Sequence, residues 1–323
     1  MLDFHLSDPT NESFAALMAI KPVEFKGKQV YQSTSIPFCP VKGASAVFGG
    51  HVLGQTVVVA ACTTEEGFIC NSSNSYFLQP GQGSVPFIYV VDPIRDGTNY
   101  CTREIKVYQI QPEDVQEFDY QNSYLCYIAL LSFKRAQPIS LDYQVERNRA
   151  FDAKEAQIQQ MQLAPDVDNL AIIEILQESN IEAQWHPIDC RKMDTLEYNK
   201  PRALPDRRIV HYFRSTFDLT NDLNMHVALL LYISDRNSLF TIINVRDDPW
   251  LEIKHIASLS HSFILHMLDD IRTDGGYLQM ETWSDRAYDA RGLYNGRMFN
   301  PKGELIASFL QDGVVRIRPP SNL

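Results

Sequence analysis

Two long apolar segments divide the chain into comparable halves. In the first, Phe48 to Cys62, small and apolar residues recur at helical spacing, and Gly49 and Gly50 stand at its start. The second is Leu223 to Ile233, and Thr220 to Asp222, immediately before it, offer side chains that can cap a helix N-terminus. The pattern therefore predicts one buried helix in each half.

Shorter apolar or alternating segments, separated by turn residues, predict strands around these helices. A strand precedes the first helix at Val23 to Gln32. Those after it are Ser75 to Gln79, Phe87 to Asp92, Asn99 to Gln109 and Ser123 to Lys134. A strand also precedes the second helix, at Val210 to Phe217. Those after it are Ala257 to His266, Gly276 to Trp283, Ala290 to Phe299 and Leu305 to Arg316. The repeated order of elements predicts an internal duplication.

Matching phrases in the two halves support the duplication. Asn74 to Leu78 corresponds to His261 to Leu265, and Arg95 to Tyr100 corresponds to Ser284 to Asp289. A strongly twisted sheet that curls round one apolar helix buries both at once. The predicted fold is therefore α+β, with two antiparallel sheets that each wrap a long central helix.

The region between the halves has a different composition. From Arg149 to Gln160 it is polar with helical spacing, and Ala164-Pro165-Asp166 interrupts it. We therefore predict an N-terminal unit at 1–135, a helical linker at 136–180 and a C-terminal unit with a tail at 181–323.

Length and composition narrow the class of protein. The 323 residues exceed one ordinary domain, and 45% hydrophobic with 21% charged residues is typical of a globular protein. The 29 Lys and Arg against 40 Asp and Glu give a net charge of −11, which argues against a nucleic-acid partner. The aliphatic runs are too short for a membrane span, and the N-terminus lacks the pattern of a signal peptide. Six scattered cysteines favour reduced, structural thiols in an intracellular protein.

Common catalytic motifs are missing from the sequence. It has no Gly-x-Ser-x-Gly elbow, phosphate-binding Gly-Lys-Ser/Thr loop, complete dinucleotide turn or His-Glu-x-x-His pair, and its histidines do not cluster at ligand spacing. We therefore expect no metal and no cofactor. The remaining chemistry is that of carboxylates, hydroxyls, amides and water.

An ordered set of segments resembles the acyl-CoA thioesterase II family, whose bacterial and peroxisomal members are double-hotdog enzymes. These segments are Val47 to Gln55, Ser75 to Gly81, Arg95 to Tyr100, Ala257 to Ser262 and Ala307 to Gly313. The matches extend in the right order from about Ile20 to Arg316. The resemblance implies a double hotdog that hydrolyses fatty acyl-CoA to a free fatty acid and coenzyme A.

The resemblance also implies a catalytic set, Asp235, Ser258 and Gln311. A carboxylate at a helix C-terminus is pushed towards a higher pKa, which favours a base. A serine hydroxyl and a glutamine amide can hold a water without ionising. Backbone N–H groups at the N-terminus of a buried helix are candidates for stabilising the oxyanion that forms during hydrolysis. The sequence does not determine which of the two helices provides them. Each of the three residues also has an ordinary structural interpretation, as a turn or strand residue.

The sequence also offers candidate substrate-binding residues. Gly49 and Gly50 would permit close approach of a ligand, with His51 beside them. Candidates for the phosphates of coenzyme A are Arg207, Arg208 and Arg214. The alternatives are tight helix packing for the glycines, core positions for His51 and His226, and a solvated surface for the arginines.

Departures from the family pattern leave alternatives open. Asn71 and Asn74 replace two histidines, Ser260 replaces an aspartate, and Met267-Leu268 replaces an Arg-Pro continuation. A non-catalytic acyl-CoA binding or regulatory hotdog protein is one alternative, and a hotdog enoyl-CoA hydratase is another. Chain-length preference and homo-oligomer formation are not fixed by the sequence.

The chain ends in Ser321, Asn322 and Leu323, which resembles a peroxisomal address of the Ser-Lys-Leu type. Together with the family resemblance, this ending predicts a peroxisomal matrix protein that binds the import receptor. The cytoplasm is the second choice.

Overall fold

The computed structural model describes most of the chain as strands packed around buried helices. The described residues are 14–25, 27–41, 47–110, 123–164, 168, 172–174, 178, 188–219, 221–246 and 252–318. The α-helices whose bounds it gives are α1 Phe14–Leu17, α2 Gly49–Ala61, α3 Glu155–Gln160, α4 Leu196–Asn199, α5 Leu223–Ser234 and α6 Phe240–Asn244. The two long helices, α2 and α5, lie where the sequence predicted buried helices.

The strands follow the predicted order, with additions at the edges. Those of the first half are β1 Ile20–Phe25, β2 Lys28–Ser33, β3 Ile69–Phe77, β4 Phe87–Asp96, β5 Tyr100–Gln109 and β6 Tyr124–Lys134. The later ones are β7 Gln162–Leu163, β8 Ile188–Lys192, β9 Ile209–Ser215, β10 Ile253–Leu265, β11 Leu278–Trp283, β12 Ala287–Tyr288, β13 Arg291–Phe299 and β14 Leu305–Ile317.

The strands of both halves have the same spatial order. Within the described residues, one antiparallel sheet runs β1-β2-β4-β5-β6-β3-β10-β14-β13-β11-β9-β8-β7, and β12 pairs with β13. The first half reads β2-β4-β5-β6-β3 outward to inward, and the second half reads β9-β11-β13-β14-β10 in the same sense. In each half the strand after the long helix lies at the centre, so β3 and β10 join the two predicted sheets into one.

The pairing register corrects the predicted match between the two central strands. The sequence match made Asn74 equivalent to His261. However, each central strand has a bulge against the last strand of its half, between Cys70 and Ser72 in β3 and between Ser258 and Ser260 in β10. Alignment of the bulges makes Ser73 equivalent to His261, one residue away from the sequence match.

Glycines allow α2 and α5 to cross at close range. A Cβ atom on Gly54 would lie 2.9 Å from the carbonyl oxygen of Ala228, and one on Gly50 would overlap the carbonyl oxygen of Tyr232. Since Gly50 and Gly54 are one turn apart, as are Ala228 and Tyr232, the two helices run antiparallel with their backbones nearly in contact. The C-terminus of α5 therefore lies beside the N-terminus of α2.

The single strand predicted at Val23 to Gln32 is wrong, because this segment forms two strands. β1 and β2 make an antiparallel hairpin in which Phe25 pairs with Lys28. Gly27 has a φ of 73°, which only glycine adopts without strain. Alternation of apolar and polar residues continues through so tight a turn, so the pattern alone conceals it.

The linker region packs onto the second half. β7 pairs with β8 at the far edge of the sheet. Phe151 and Ile158 lie in a small apolar cluster with Val210, Tyr212 and Tyr277. The division into 1–135, 136–180 and 181–323 stays a prediction. Among the described residues, no helix is long and apolar enough to cross a membrane, and the six cysteines are free.

Candidate active site

The predicted catalytic residues lie at the end of α5 and on the two neighbouring strands β10 and β14. Asp235 is the C-cap residue of α5. Ser258 stands at the bulge of β10 and pairs with Gly313, while Gln311 of β14 pairs with His261. Asp235 and Gln311 are buried, with 7% and 0% of their surfaces exposed. Three separate segments therefore deliver polar side chains to one place in the interior.

The amide of Gln311 connects the three side chains. Its Nε2 lies 2.9 Å from Oδ1 of Asp235 and 2.5 Å from Oγ of Ser258. Its carbonyl oxygen, Oε1, is buried and has no hydrogen-bond partner. A buried amide oxygen without a partner is uncommon and unfavourable, so Gln311 presents an acceptor suited to a water or a substrate group.

Burial makes Asp235 a stronger base than an exposed aspartate. Desolvation raises the pKa of its carboxyl from 3.8 to about 6, against the lowering effect of hydrogen bonds from Gln311, Ser238 and the N–H of Gly50. A carboxylate with a pKa near 6 is ionised at neutral pH and can still take a proton in a reaction.

The N-terminus of α2 faces this carboxylate. A Cβ atom on Gly49 would lie 2.6 Å from Oδ2 of Asp235 and 3.0 Å from the ring of Phe77, so only glycine fits here. Phe48, the N-cap residue, offers no side-chain hydrogen bond to the helix. The first N–H groups of α2 and its positive dipole end are therefore directed at the site and are not neutralised by a side-chain cap.

Ser238 belongs to the same hydrogen-bonded group, and the sequence did not predict it. Its Oγ donates to Oδ1 of Asp235 at 3.2 Å and accepts from Nε2 of Gln311 at 3.2 Å. The only signal in the sequence was its position three residues after Asp235, which would bring the two side chains together if the chain turned there.

His261 lies behind the site as a neutral side chain. Its Nε2 is 2.9 Å from Oγ of Ser234, and its ring stacks on Phe309. Burial lowers its pKa to about 3, so it carries no charge near neutral pH.

The other candidate histidines are held within the core. In His51, Nδ1 accepts from the N–H of Phe38 at 2.9 Å, and Nε2 is 3.1 Å from the carbonyl oxygen of Leu17. Nδ1 of His226 lies 3.0 Å from Oγ1 of Thr273. Both rings therefore have the partners of structural histidines, and the substrate-binding role of His51 stays a prediction.

The three predicted phosphate-binding arginines lie on or just before β9, each engaged with a neighbour. Arg207 donates to the carbonyl oxygen of Val245 at 2.8 Å, and Arg208 pairs with Glu281 at 3.0 Å. Arg214 pairs with Glu155 at 3.1 Å. The hydrogen bonds described above join Asp235, Ser258 and Gln311 to one another, to Ser238 and to Gly50, and not to these arginines. The phosphate-binding role of the arginines therefore stays a prediction.

The described residues show no cluster of three or more His, Cys, Asp or Glu side chains arranged to hold a metal ion. The polar groups that meet at the site are a carboxylate, two hydroxyls and an amide.

Two family models together cover most of the chain. Residues 40–133 match the N-terminal domain and residues 164–315 the C-terminal domain of acyl-CoA thioesterase. The chain belongs to the acyl-CoA thioesterase II family. The family predicted from the sequence is thereby confirmed, and the protein is a thioester hydrolase that acts on acyl-CoA. Neither the binding module nor the hydratase is favoured.

Individual relatives agree with this membership. Acyl-coenzyme A thioesterase 8 of Mus musculus is 26% identical over 86% of this chain and 83% of its own length. The peroxisomal acyl-coenzyme A thioester hydrolase 1 of Saccharomyces cerevisiae is 22% identical over 94% of this chain and 93% of its own length. A solved hotdog-fold protein of unknown function from Alicyclobacillus acidocaldarius is 13% identical, with a TM-score of 0.65 over 96% of this chain and 100% of that one. The hotdog fold is therefore confirmed.

Proposed function

We propose that the protein hydrolyses fatty acyl-CoA thioesters through a water molecule held by Asp235, Ser258 and Gln311. The observation that carries this proposal is the meeting of the three side chains at the amide of Gln311, with Oε1 of that amide left as a buried acceptor. Hydrolysis needs a water placed against the carbonyl carbon and a group that takes its proton. One hydrogen-bonded group thus supplies both the side chains that would place the water and the carboxylate that would take its proton.

Asp235 acts as the general base in this proposal. Its carboxylate takes a proton from the water as the water oxygen attacks the thioester carbonyl carbon. Oε1 of Gln311 accepts a hydrogen bond from the other O–H of the water, and Oγ of Ser258 orients the water oxygen. Collapse of the tetrahedral intermediate breaks the carbon–sulfur bond, and the proton held by Asp235 neutralises the leaving thiolate. General-base catalysis of this kind contributes about 10²- to 10⁴-fold to the rate.

The first turn of α2 is the oxyanion site in this proposal. Its N–H groups lie beside Asp235, and its N-cap residue does not occupy them with a side chain. The N–H of Gly50 donates to Asp235, so the N–H of Gly49 is the group assigned to the oxyanion. A preorganised backbone donor in a buried site stabilises developing negative charge strongly.

The finer architecture that we propose is a double hotdog, in which each half of the sheet wraps its own long helix. The duplicated strand order and the packing of α2 and α5 in one continuous core support it. The two family-model matches, at residues 40–133 and 164–315, support one unit in each half, and the second match begins within the segment 136–180 that we predicted as a linker.

The test is a chain-length series of acyl-CoA substrates with a thiol reagent that detects free coenzyme A. We expect release of thiol and free fatty acid by the wild type, with loss of release in Asp235→Asn and Gln311→Ala. Binding of acyl-CoA without release would overturn the proposal in favour of a binding module. Consumption of enoyl-CoA without thiol release would instead indicate a hydratase.

We further propose that the protein works in the peroxisomal matrix. The name of the yeast relative supports this location, and Ser321 to Leu323, which lie outside the described residues, form the segment to test. A fluorescent protein fused to the N-terminus should collect in peroxisomes and become diffuse when Leu323 is deleted. Diffuse fluorescence of the undeleted fusion would contradict the proposal.

A further inference from the structure

The turn that follows α5 is buried, although it is not part of a helix or strand. Asp235, Arg236, Asn237 and Ser238 each have only 6–7% of their surface exposed. Connecting segments normally run over the surface, because a buried one must find partners for its backbone and side chains. The partners of this turn therefore indicate what holds it in place.

The four residues of the turn divide between two neighbours. Asp235 and Ser238 point to Gln311 and make up the site described above. Arg236 and Asn237 point the other way, and Asn237 has a φ of 56°, in the left-handed region that asparagine tolerates better than most residues. The left-handed residue lets the first and last side chains of so short a segment reach one side and the middle two reach the other.

The opposite side is the region that connects the two halves. The guanidinium of Arg236 donates to the carbonyl oxygen of Ala164 at 2.7 Å. Oδ1 of Asn237 accepts from the N–H of Asp168 at 3.0 Å, and Nδ2 of Asn244 donates to the carbonyl oxygen of Asp168. The carboxylate of Asp168 pairs with Lys192 at 2.5 Å. Asp168 is thus held through its N–H, its carbonyl and its side chain.

We propose that this clasp between Asp168 and Asn237 fixes the position of the Asp235 carboxylate, which makes Asn237 a positioning residue for thioester hydrolysis. The proposal rests on the role of Asp235 in the proposed function. Asn237 is two residues from Asp235 in a turn with little freedom, so a shift at Asn237 displaces the carboxylate relative to Gln311. A displacement of about 1 Å in a site of this kind lowers the rate by up to about a hundredfold.

Two variants each remove one hydrogen bond to the backbone of Asp168. Asn237→Gly keeps the left-handed backbone, because glycine adopts positive φ without strain, but it removes the acceptor for Asp168. Asn244→Ala removes the donor to the Asp168 carbonyl and leaves the turn itself unchanged. The matched control is Asn148→Gly, since Asn148 ties another part of the linker to Oη of Tyr198 at 3.0 Å, without contact to the turn.

We expect Asn237→Gly to lower kcat about tenfold with KM nearly unchanged, Asn244→Ala to lower kcat by a smaller factor, and Asn148→Gly to keep wild-type kcat. Thermal melting checks that each variant is folded. Wild-type kcat in both clasp variants would overturn the proposal, as would an equal loss in the Asn148→Gly control.

A double variant tests whether Asn237 acts through Asp235. Groups that act as a unit have non-additive effects on the rate, so Asn237→Gly should cause no further loss in an Asp235→Asn background. A further tenfold loss there would show that Asn237 acts by another route and would overturn the proposal. If Asp235→Asn alone kept full activity, the proposed function would fail, and this result is distinct from failure of the clasp.

Discussion

The two halves of the molecule offer the same position for a site, and the groups that we propose for catalysis occupy it in the second half. In the second half the position holds Asp235 at the helix cap, Ser258 at the bulge and Gln311 on the last strand. By the same cap, bulge and register, the first half has Cys62, Cys70 and Leu131 there. Cys70 and Leu131 are fully buried members of the apolar core.

The two helix N-termini differ in the same way. Oδ1 of Asp222 caps α5 by accepting from the N–H of Asn224 at 2.9 Å. The side chain of Asn224 then fills the space in front of the helix, donating to the carbonyl oxygen of Phe68 and accepting from the N–H of Cys70, both at 2.9 Å. The N-terminus of α2 has two glycines and no side-chain cap. One fold thus has a helix N-terminus without a side-chain cap that faces a carboxylate in one place, and a capped, structural counterpart in the other.

Replacement of Asp235 by asparagine should have the largest effect on this contrast. We expect kcat/KM to fall about 10³-fold, because the amide cannot take a proton from water. The variant should be folded and at least as stable as the wild type at pH 7. The folded-state pKa of Asp235 is raised to about 6, so the ionised carboxylate opposes folding above that pH and asparagine removes the penalty. Retention of more than a tenth of the activity would contradict the role of Asp235.

Gly49→Ala should disturb the N-terminus of α2 at the point where it meets Asp235. The added Cβ would lie 2.6 Å from Oδ2 of Asp235, so the carboxylate must move away from Gln311. We expect kcat to fall between about tenfold and a hundredfold, measured by thiol release. A matched change in the other half is Asn224→Ala, which should lower the free energy of unfolding by about 1–3 kcal/mol while the folded enzyme keeps its kcat.

Ser238→Ala should reduce activity less and change its pH dependence. The wild-type kcat/KM should fall as the pH drops through about 6, because Asp235 becomes protonated. Without the hydrogen bond from Ser238, the charged form loses a stabilising partner, so the midpoint should move to higher pH. At pH 8 the loss should be about fivefold, in line with one hydrogen bond of about 1 kcal/mol. An unchanged midpoint would show that Ser238 does not act on the carboxylate.

Changes at Cys62 should have the smallest effect. Cys62→Ala is expected to keep kcat/KM within about twofold. Cys62 is the C-cap of α2, and the positions that correspond to Ser258 and Gln311 hold Cys70 and Leu131 in this half, which offer neither a hydroxyl nor an amide. Cys62→Asp should not restore activity to Asp235→Asn, because Leu131 and Cys70 cannot hold a water. Restored hydrolysis in that double variant would show that the first-half position is also a working site.

The sequence predicted the long helices, the strand order and three members of the site, for separate reasons. Long apolar segments such as Leu223 to Ile233 leave little choice but a buried helix. Asp235, Ser258 and Gln311 came from the family resemblance, since nothing in their spacing indicates that they meet. Their meeting depends on strand pairing between β10 and β14, which a single sequence does not encode as a local pattern.

The features that the sequence missed depend on turns and bulges. The hairpin at Gly27 lies within a continuous alternating pattern. The equivalence of Ser73 and His261 depends on the bulges at Cys70 and Ser258, which the matching phrases of the sequence do not show. Ser238 is an ordinary serine until Asn237 adopts a left-handed conformation and directs it inward. The arginines were chosen for their charge, but Arg208 and Arg214 have carboxylate neighbours that only the folded chain brings to them.

The seam between β3 and β10 makes each half the cover for the other's exposed edge. If the chain were cut between the halves and one fragment made alone, its central strand would present unpaired N–H and C=O groups, a template for aggregation. The proposed site would also be divided, with Gly49 on one fragment and Asp235 on the other. The enzyme is thus suited to fragment complementation, in which two inactive pieces regain hydrolysis only when they reassociate.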